Sequence, residues 1–339
     1  MASPRVKKML DGKTVLLTGG TGSFGKKFTE TVLDNYSLRK LIILSRDELK
    51  QFDMAKRFPP ARYPVRYFLG DIRDRQRLYR AFEGVDYVVH AAALKQVPAL
   101  EYNPFEAVKT NIIGAENIVD AAIDRQVEKV VVLSTYKAVN PVNLYGATKL
   151  AMEKICIAAN VYSGAQETSF SIVRYGNVIG SRGSVIPFFA QLLRQGEKTL
   201  PITDERMTRF WITLEQGVAL VIKALAEGVG GEIFVPKIPS MKITSLAKAL
   251  CPDCDYRVTG IRPGEKINET LVSEDEARMT VDDGEGFIIL PQFGLGKAAL
   301  RKYDGHRRVG EGFVFRSDLN SRFLSVEELK DLVKDMEFE

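Results

Sequence analysis

Short apolar runs recur through the first 135 residues: "KTVLLT" (13–18), "LIILS" (41–45), "VRYFLGD" (65–71), "VDYVVHAA" (85–92) and "VEKVVVLST" (127–135). They are rich in Val, Ile and Leu and are bounded by turn or polar residues. Such runs suit strands buried on both faces. Between them, "FGKKFTETVLDNY" and "AVKTNIIGAENIVDAAIDR" carry helical periodicity. Repeated strand–helix units of this kind predict an α/β fold with a doubly wound parallel sheet of the Rossmann type.

The rhythm turns irregular after about residue 178. "GSRGSVIPFFAQLLRQGEKTLPIT" reads as loop, helix and loop, "LEQGVALVIKALAEG" as a helix, "GEIFVP" as a strand, and "MKITSLAKAL" as a strand end entering a helix. The expectation is a nucleotide-binding domain over 1–178, rejoined by 211–240. A smaller, interleaved substrate-binding domain covers 179–210 and 241–300, and a C-terminal extension runs over 301–339. In "LSVEELKDLVKDM" a Ser stands at the N-cap with Glu at the third helical position, the pattern of a capping box.

Composition changes this picture little. Apolar residues make up 45% and charged residues 27%, as in an ordinary globular protein. The net charge of +5 comes without a block of five like charges. That is a mildly basic surface, suited to anionic small molecules, with no footprint for nucleic acid. Three cysteines, an odd and sparse set, argue against a disulfide framework and for a reducing compartment. "CPDC" (251–254) is a lone CxxC, and with two histidines in the chain no metal site is expected. The N-terminal "VLLTGG" is too quickly broken for a signal peptide, and no apolar run reaches membrane-spanning length. A cytoplasmic protein with no membrane partner is expected.

Candidate chemistry begins at "VLLTGGTGSFGKKF", where Gly19, Gly22 and Gly25 follow the first strand and open the first helix. That spacing lets backbone N–H groups, including those around Thr21, Ser23 and Phe24, approach a pyrophosphate. The second strand ends in Ser45 and Arg46, which favours the 2′-phosphate of NADP over NAD, since a free ribose hydroxyl usually meets an acidic residue there. Asp71 and Ile72 after the third strand are placed to hold the adenine. Ala91, Ala92, Ala93 and Lys95 follow the fourth strand beside the cofactor, and Asn111 is assigned to the same site. Tyr145 and Lys149 share a helix face at i, i+4. A phenol is a poor base near neutrality unless cations stabilise the phenolate, and Lys149 with an oxidised nicotinamide can supply that charge.

These motifs together resemble the extended short-chain dehydrogenase/reductases that act on nucleotide sugars. More narrowly, "SRDELKQ", "HAAALKQVPALEYNPFEAVKTNIIGAENI", "NPVNLYGATKL", "RYGNVIGSRGSVIPFF", "MTRFWITLEQGV" and "IRPGEK" resemble the inverting UDP-N-acetylglucosamine 4,6-dehydratases of pseudaminic acid synthesis. The resemblance runs from about residue 10 to the C-terminus. It implies that Tyr145, assisted by Thr135 and Lys149, deprotonates the sugar 4-hydroxyl while hydride passes to NADP. Lys137 is then the base at C5, the 6-hydroxyl leaves as water, hydride returns to C6, and C5 is inverted. It further implies UDP-GlcNAc contacts from Lys95, Asn177, Arg182, Val185, Pro201, Thr203, Arg209, Arg262 and Glu265. Arg209 and Arg262 fall on the pyrophosphate and Glu265 on the ribose. A homo-oligomer, possibly a hexamer, is implied as well.

Two positions depart from the family pattern. Tyr136 stands where Ser-Thr-Asp-Lys would place the acid for the leaving hydroxyl, and Asn268 replaces the usual His after "GEK". Tyr136 is open to four readings: a weak substitute acid, a group swung out of the site, the mark of an altered or engineered variant, or a packing residue. Two other functions stay open at this point. A 4-epimerase would need only the Tyr145/Lys149 half, and a weakly active NADP-bound regulatory or scaffold protein would tolerate the loss at 136.

Overall fold

A computed structural model describes residues 9–164, 167–179, 185–292 and 301–334. The five expected strands form in order, β1 (Thr14–Thr18), β2 (Lys40–Ser45), β3 (Val65–Leu69), β4 (Tyr87–His90) and β5 (Lys129–Thr135), and a sixth, β6 (Ser169–Tyr175), follows them. The helices of this half are α1 (Ser23–Asn35), α2 (Glu48–Arg57), α3 (Arg75–Ala81), α4 (Val97–Tyr102), α5 (Pro104–Val108), α6 (Gly114–Asp124) and α7 (Leu144–Tyr162). The helix expected over 107–125 is interrupted by a π-helical turn at Lys109–Ile113. There the Asn111 amide leaves its own helix to brace the Leu94 backbone, accepting from its N–H at 2.9 Å and donating to its C=O at 2.9 Å.

In the second half the described elements are β7 (Asn177–Val178), α8 (Val185–Arg194), β8 (Thr199–Ile202), β9 (Thr208–Ile212), α9 (Leu214–Glu227), β10 (Ile233–Pro236), β11 (Ser240–Lys242), α10 (Ile243–Leu250), β12 (Asp255–Val258), β13 (Thr270–Val272), α11 (Glu274–Ala277), β14 (Thr280–Asp282), β15 (Gly286–Ile289), β16 (Arg307–Arg308), β17 (Phe315–Arg316) and α12 (Val326–Lys334). Ser325 and Glu328 make the expected capping box at the start of α12, with reciprocal backbone contacts of 2.8 and 3.1 Å.

The main sheet has the order β16-β14-β15-β10-β6-β5-β4-β1-β2-β3. Strands β3-β2-β1-β4-β5-β6 and β10 are parallel, which is the doubly wound arrangement with its switch point between β1 and β4. Strands β14 and β15, in the stretch assigned to the smaller domain, extend this sheet antiparallel beyond β10. The smaller part has its own core, in which Ile186 and Phe189 of α8, Leu200 and Ile202 of β8, Trp211, Leu246 and Leu329 pack together. Its β8, read as loop from the sequence, pairs in parallel with β12. Cys251 and Cys254, of a cysteine set too sparse to predict a disulfide framework, are bonded to each other at the end of α10. Closeness in sequence across a two-residue turn brings them together, a local effect that a count of cysteines misses.

A buried cation ties β6 to α7 and to the segment around α11. Arg174 on β6 is 1% exposed. It meets Glu153 of α7 through Nε at 3.1 Å and Nη2 at 2.6 Å, and Glu276 of α11 through Nη1 at 3.0 Å and Nη2 at 2.9 Å. Nη1 also donates to the Leu271 carbonyl at 3.0 Å, and Ser134 Oγ donates to Glu153. Removing one partner of such a cluster leaves uncompensated charge in the interior. Arg174→Ala is therefore expected to cost about 3–5 kcal/mol of stability, read as a lowered midpoint in urea unfolding. A loss below about 1 kcal/mol would show that water reaches the two carboxylates.

Candidate active site

The glycine turn is built for close approach. Gly19 has φ +65°, and a Cβ there would lie 2.8 Å from the Ala92 backbone. At Gly25 it would lie 2.2 Å from the Gly20 carbonyl oxygen. Thr18 Oγ1 accepts from the N–H groups of Ala91 and Ala92 at 3.2 Å each, drawing the loop after β4 against β1. Helix α1 begins on Gly22 with no capping side chain. The N–H groups of Ser23, Phe24 and Gly25 thus lack intrahelical acceptors and can receive an anion. Thr21 Oγ1 and Ser45 Oγ hydrogen bond at 3.0 Å, joining this turn to the end of β2.

Beyond Ser45 an open cleft of about 360 Å³ is lined by Arg46, Arg73, Leu94, Lys95, Gln96 and their neighbours. Arg46 is exposed, 3.7 Å from Asp71. The Arg73 guanidinium grips Asp71 at 2.8 Å and Glu106 at 2.7 Å. These hydrogen bonds and the charge of Arg46 outweigh burial and hold the Asp71 carboxyl below the ordinary range. Ile72 is buried behind it, against Gly114. The Asn111 amide has both its N–H groups engaged, with Leu94 O and with Thr148 Oγ1 at 3.0 Å. Asn111 therefore supports the loop carrying Ala93 and Lys95; its side chain does not offer free donors to a cofactor, contrary to the sequence expectation.

At the carboxyl edge of β5 the chain turns through a 3-10 segment, Tyr136–Ala138, and enters α7, whose N-cap Asn143 accepts from Gly146 N–H at 2.8 Å. Gly146 lets α7 start close to this turn, since a Cβ there would fall 2.2 Å from the Lys137 carbonyl oxygen. Tyr145 is half-buried. Burial pushes its phenol well above the ordinary range, neighbouring Tyr136 adds to this, and a hydrogen bond with the Thr135 side chain opposes it. Lys149 Nζ is buried and donates to the Leu133 carbonyl at 2.7 Å and to Met152 Sδ at 2.9 Å. Burial pulls its ammonium down to about 8, with Glu153 opposing.

Tyr136 is 3% exposed and packs in the main core. Its hydroxyl donates to Asn177 Oδ1 at 2.9 Å. Burial, and then the charge of Glu269, raise its pKa. The phenol is thus a packed, committed donor, harder to ionise than a free tyrosine. Lys137 Nζ lies 4.8 Å from the Tyr136 ring centre and 4.0 Å from Glu269 Oε1. Burial alone would lower the Lys137 pKa, yet Tyr136 and Glu269 raise it overall. In this resting geometry Lys137 is a cation, the wrong state for the base that the resemblance implies.

Lys137, Val142, Asn143, Gly264, Lys266 and Glu269 meet around a gap too tight to hold a water molecule. Lys266 Nζ donates to the Val139 carbonyl at 2.6 Å. Arg209 points inward: it donates to the carbonyls of Thr208, Ile267 and Lys266 at 2.7, 2.9 and 3.0 Å, and its Nε lies 3.3 Å from Glu269. Little of its guanidinium is left for the pyrophosphate assigned to it. Arg262 is exposed and 4.0 Å from Glu265, whose Oε2 is buried without a hydrogen-bond partner among the described residues. Pro201 and Thr203 flank the buried Ile202 at the end of β8, half-exposed, and Val185 opens α8. Arg182 lies outside the described residues. Asn268 accepts from Thr208 Oγ1 at 2.8 Å. Glu269 was not singled out in the sequence, because a Glu in "GEKINET" gives no sign of its burial.

The Gly25 contact generates a prediction. Gly25→Ala is expected to weaken binding of a dinucleotide more than tenfold in a fluorescence titration, because the added carbon forces the turn open. Unchanged affinity would show that the turn is not the phosphate cradle.

Comparison with known proteins agrees with this geometry. The profile of a family described as "Polysaccharide biosynthesis protein" matches residues 15–291. A relative from Campylobacter jejuni subsp. jejuni serotype O:23/36 (strain 81-176), named UDP-N-acetylglucosamine 4,6-dehydratase (inverting), is 51% identical over 97% of this chain and 99% of its own. A protein from Rickettsia canadensis (strain McKiel) named UDP-glucose 4-epimerase is 42% identical over 97% and 98%. The crystal structure of Pen from Bacillus thuringiensis superposes with a TM-score of 0.88 at 38% identity, covering 97% of this chain and 99% of that one. The dTDP-glucose 4,6-dehydratase DesIV from Streptomyces venezuelae, at 22% identity and TM-score 0.67 over 86% and 96%, shares the fold. With the family profile spanning most of the sheet and the relatives aligning end to end, the chain belongs to the polysaccharide biosynthesis protein family, within the extended short-chain dehydrogenase/reductases.

Proposed function

We propose that this protein is an NADP-dependent lyase that dehydrates UDP-N-acetylglucosamine across C5 and C6 with inversion at C5. One observation carries the reading: on the turn that leads into the helix of Tyr145 and Lys149 stands a second charged group, Lys137, with Glu269 at 4.0 Å. A 4-epimerase has use for the first pair alone, whereas an elimination also needs a proton acceptor and a proton donor. The named activity of the 51% identical relative supports the same reading.

A nicotinamide dinucleotide on the glycine turn supplies reversible hydride acceptance. The residues of the chain do the rest. Thr135 orients the Tyr145 hydroxyl, and the Lys149 ammonium stabilises the phenolate that takes the sugar O4 proton. The resulting 4-ketone acidifies the C5 proton, after which the 6-hydroxyl departs. Preference for NADP is supported by Arg46 at the cleft and by the fate of Asp47. That carboxylate caps α2, accepting from Lys50 N–H at 3.0 Å, and so is not free to hold a ribose hydroxyl. Asn177, Arg182, Val185, Pro201, Thr203, Arg262 and Glu265 are proposed to surround the UDP moiety, with Arg209 acting through Glu269. The exposed Tyr102, Phe105 and Ile113 along the stretch 97–113 give a homo-oligomer a surface on which to form.

The second reading, 4-epimerisation, is favoured by the name of the Rickettsia relatives. Incubation with UDP-GlcNAc followed by NMR separates the two: a 4-keto-6-deoxy sugar inverted at C5 is expected, and a C4 epimer alone would overturn the proposal. Tyr145→Phe is expected to abolish the first hydride transfer, read as the absence of reduced-cofactor absorbance in a single turnover. Since Lys149 must be cationic and loses its proton near 8, kcat/KM is expected to fall as pH rises through about 8. A profile flat to pH 9.5 would remove Lys149 from that role. Arg46→Ala should weaken NADP more than tenfold while leaving NAD little changed; equal losses would assign NAD.

A further inference from the structure

The side-chain amide of Asn177 offers an acceptor oxygen on one edge and N–H donors on the other, and the hydrogen bonds around it decide which way it faces. Its backbone has little freedom. Asn177 opens β7, which runs parallel to β9 with Asn177 opposite Trp211. The preceding Gly176 is pressed so closely on β9 that a Cβ there would lie 2.7 Å from Phe210 Cβ and 2.8 Å from the Phe210 carbonyl oxygen. The side chain therefore leaves from a fixed point just past the carboxyl end of β6, where open α/β sheets place their ligands. It is half-exposed, so part of the amide stays open.

Tyr136 decides which edge that is. Its hydroxyl donates to Asn177 Oδ1 at 2.9 Å. The phenol oxygen itself faces the Lys137 side chain, which supplies a donor to it. The bonds then run in one direction, from Lys137 N–H to Tyr136 O–H to the Asn177 carbonyl. Turning the amide over would set its NH₂ against the phenol and take the acceptor away from a hydroxyl whose residue is 3% exposed. A buried hydroxyl without an acceptor is costly. The amide is thus held with its oxygen inward. Among the described residues nothing accepts from Asn177 Nδ2, so its N–H groups remain as donors for a ligand. The Tyr136 phenol also lies close enough to the Tyr145 phenol to act on its ionisation, which sets this amide at the edge of the redox pair.

We infer that Tyr136 is a positioning residue for the nucleotide: it turns the Asn177 amide so that Nδ2 donates to an oxygen of the bound UDP moiety. The inference rests on the nucleotide-sugar reading and concerns binding alone, so it holds for a dehydratase and for an epimerase. Packing at 136 needs only the ring, and phenylalanine would fill the same volume. The hydroxyl is the part that needs a reason, and Asn177 supplies it. The role also differs from that of an acid, because the Tyr136 proton stays on the phenol and never reaches the substrate. Burial, and then the charge of Glu269, raise the pKa of Tyr136, in agreement with a hydroxyl that keeps its proton.

The test uses the full-length protein and reads UDP affinity by calorimetry, together with kcat and KM for UDP-GlcNAc. Asn177→Ala is expected to weaken UDP about tenfold or more, since a donor to a charged phosphate oxygen is lost. Tyr136→Phe keeps the packing and frees the amide to turn. Its UDP affinity is expected to fall about three- to tenfold, with KM rising by a similar factor and kcat within about threefold of the parent. The double variant should match Asn177→Ala within about twofold, because Tyr136 acts only through that amide. NADP affinity should change less than about twofold in all three, which excludes a general loosening of the fold. Unchanged UDP affinity in Tyr136→Phe, or losses that multiply in the double variant, would leave Tyr136 as packing and overturn the inference. A hundredfold loss of kcat in Tyr136→Phe with UDP affinity kept would make it an acid and overturn the inference as well. A parent that yields no keto sugar removes the dehydratase reading, while the UDP titrations still decide this one; a parent that binds no UDP overturns both.

Discussion

Arg174 is a charge with nowhere to go: fully enclosed, it is stable only while Glu153 and Glu276 face it. Those partners belong to different parts of the molecule. Glu153 sits one turn beyond Lys149 on α7, and Glu276 belongs to α11, directly after β13. Breaking either contact exposes charge to the core, so helix, sheet and second half are held in one register. Glu269 lies just before β13, and β13 packs against the 3-10 turn that carries Tyr136 and Lys137. The same ion cluster therefore fixes the distance between the redox pair and the recess beside it.

The first half of the fold was legible because its strands are continuous apolar runs and its helices are periodic; β1 to β5 fall where those runs lie. The second half was less so. In "TLPI" only Leu200 and Ile202 are buried, and they face the smaller core. Four residues of that kind look like loop until a parallel partner, β12, is known. The strand β12 itself is exposed along its length, so no hydrophobic pattern could reveal it.

Within the site, sequence spacing identified what is local. Tyr145 and Lys149 follow from one helix turn, and the glycine turn follows from three residues in a row of seven. It could not rank side chains whose neighbours come from afar. Asn111 and Arg209 use their donors within the protein, Asn111 on the Leu94 carbonyl and Thr148 Oγ1 and Arg209 on three backbone carbonyls. Glu269 meets Lys137 across 132 positions of chain, and its significance lies in burial and missing partners, neither of which is written in "GEKINET".

Tyr136 joins these observations. A carboxylic acid there would stand next to Lys137 and compete with Glu269 for the same ammonium. A buried phenol hydrogen-bonded to Asn177 does not. It fills the core, leaves its ring against the Lys137 ammonium at 4.8 Å, and brings no second charge into the recess. Around the Glu269 carboxylate stand Lys137 at 4.0 Å and Arg209 at 3.3 Å, which balance its charge in the interior. In that arrangement the tyrosine stands in the place of an acid as a packing residue, its hydroxyl held by Asn177.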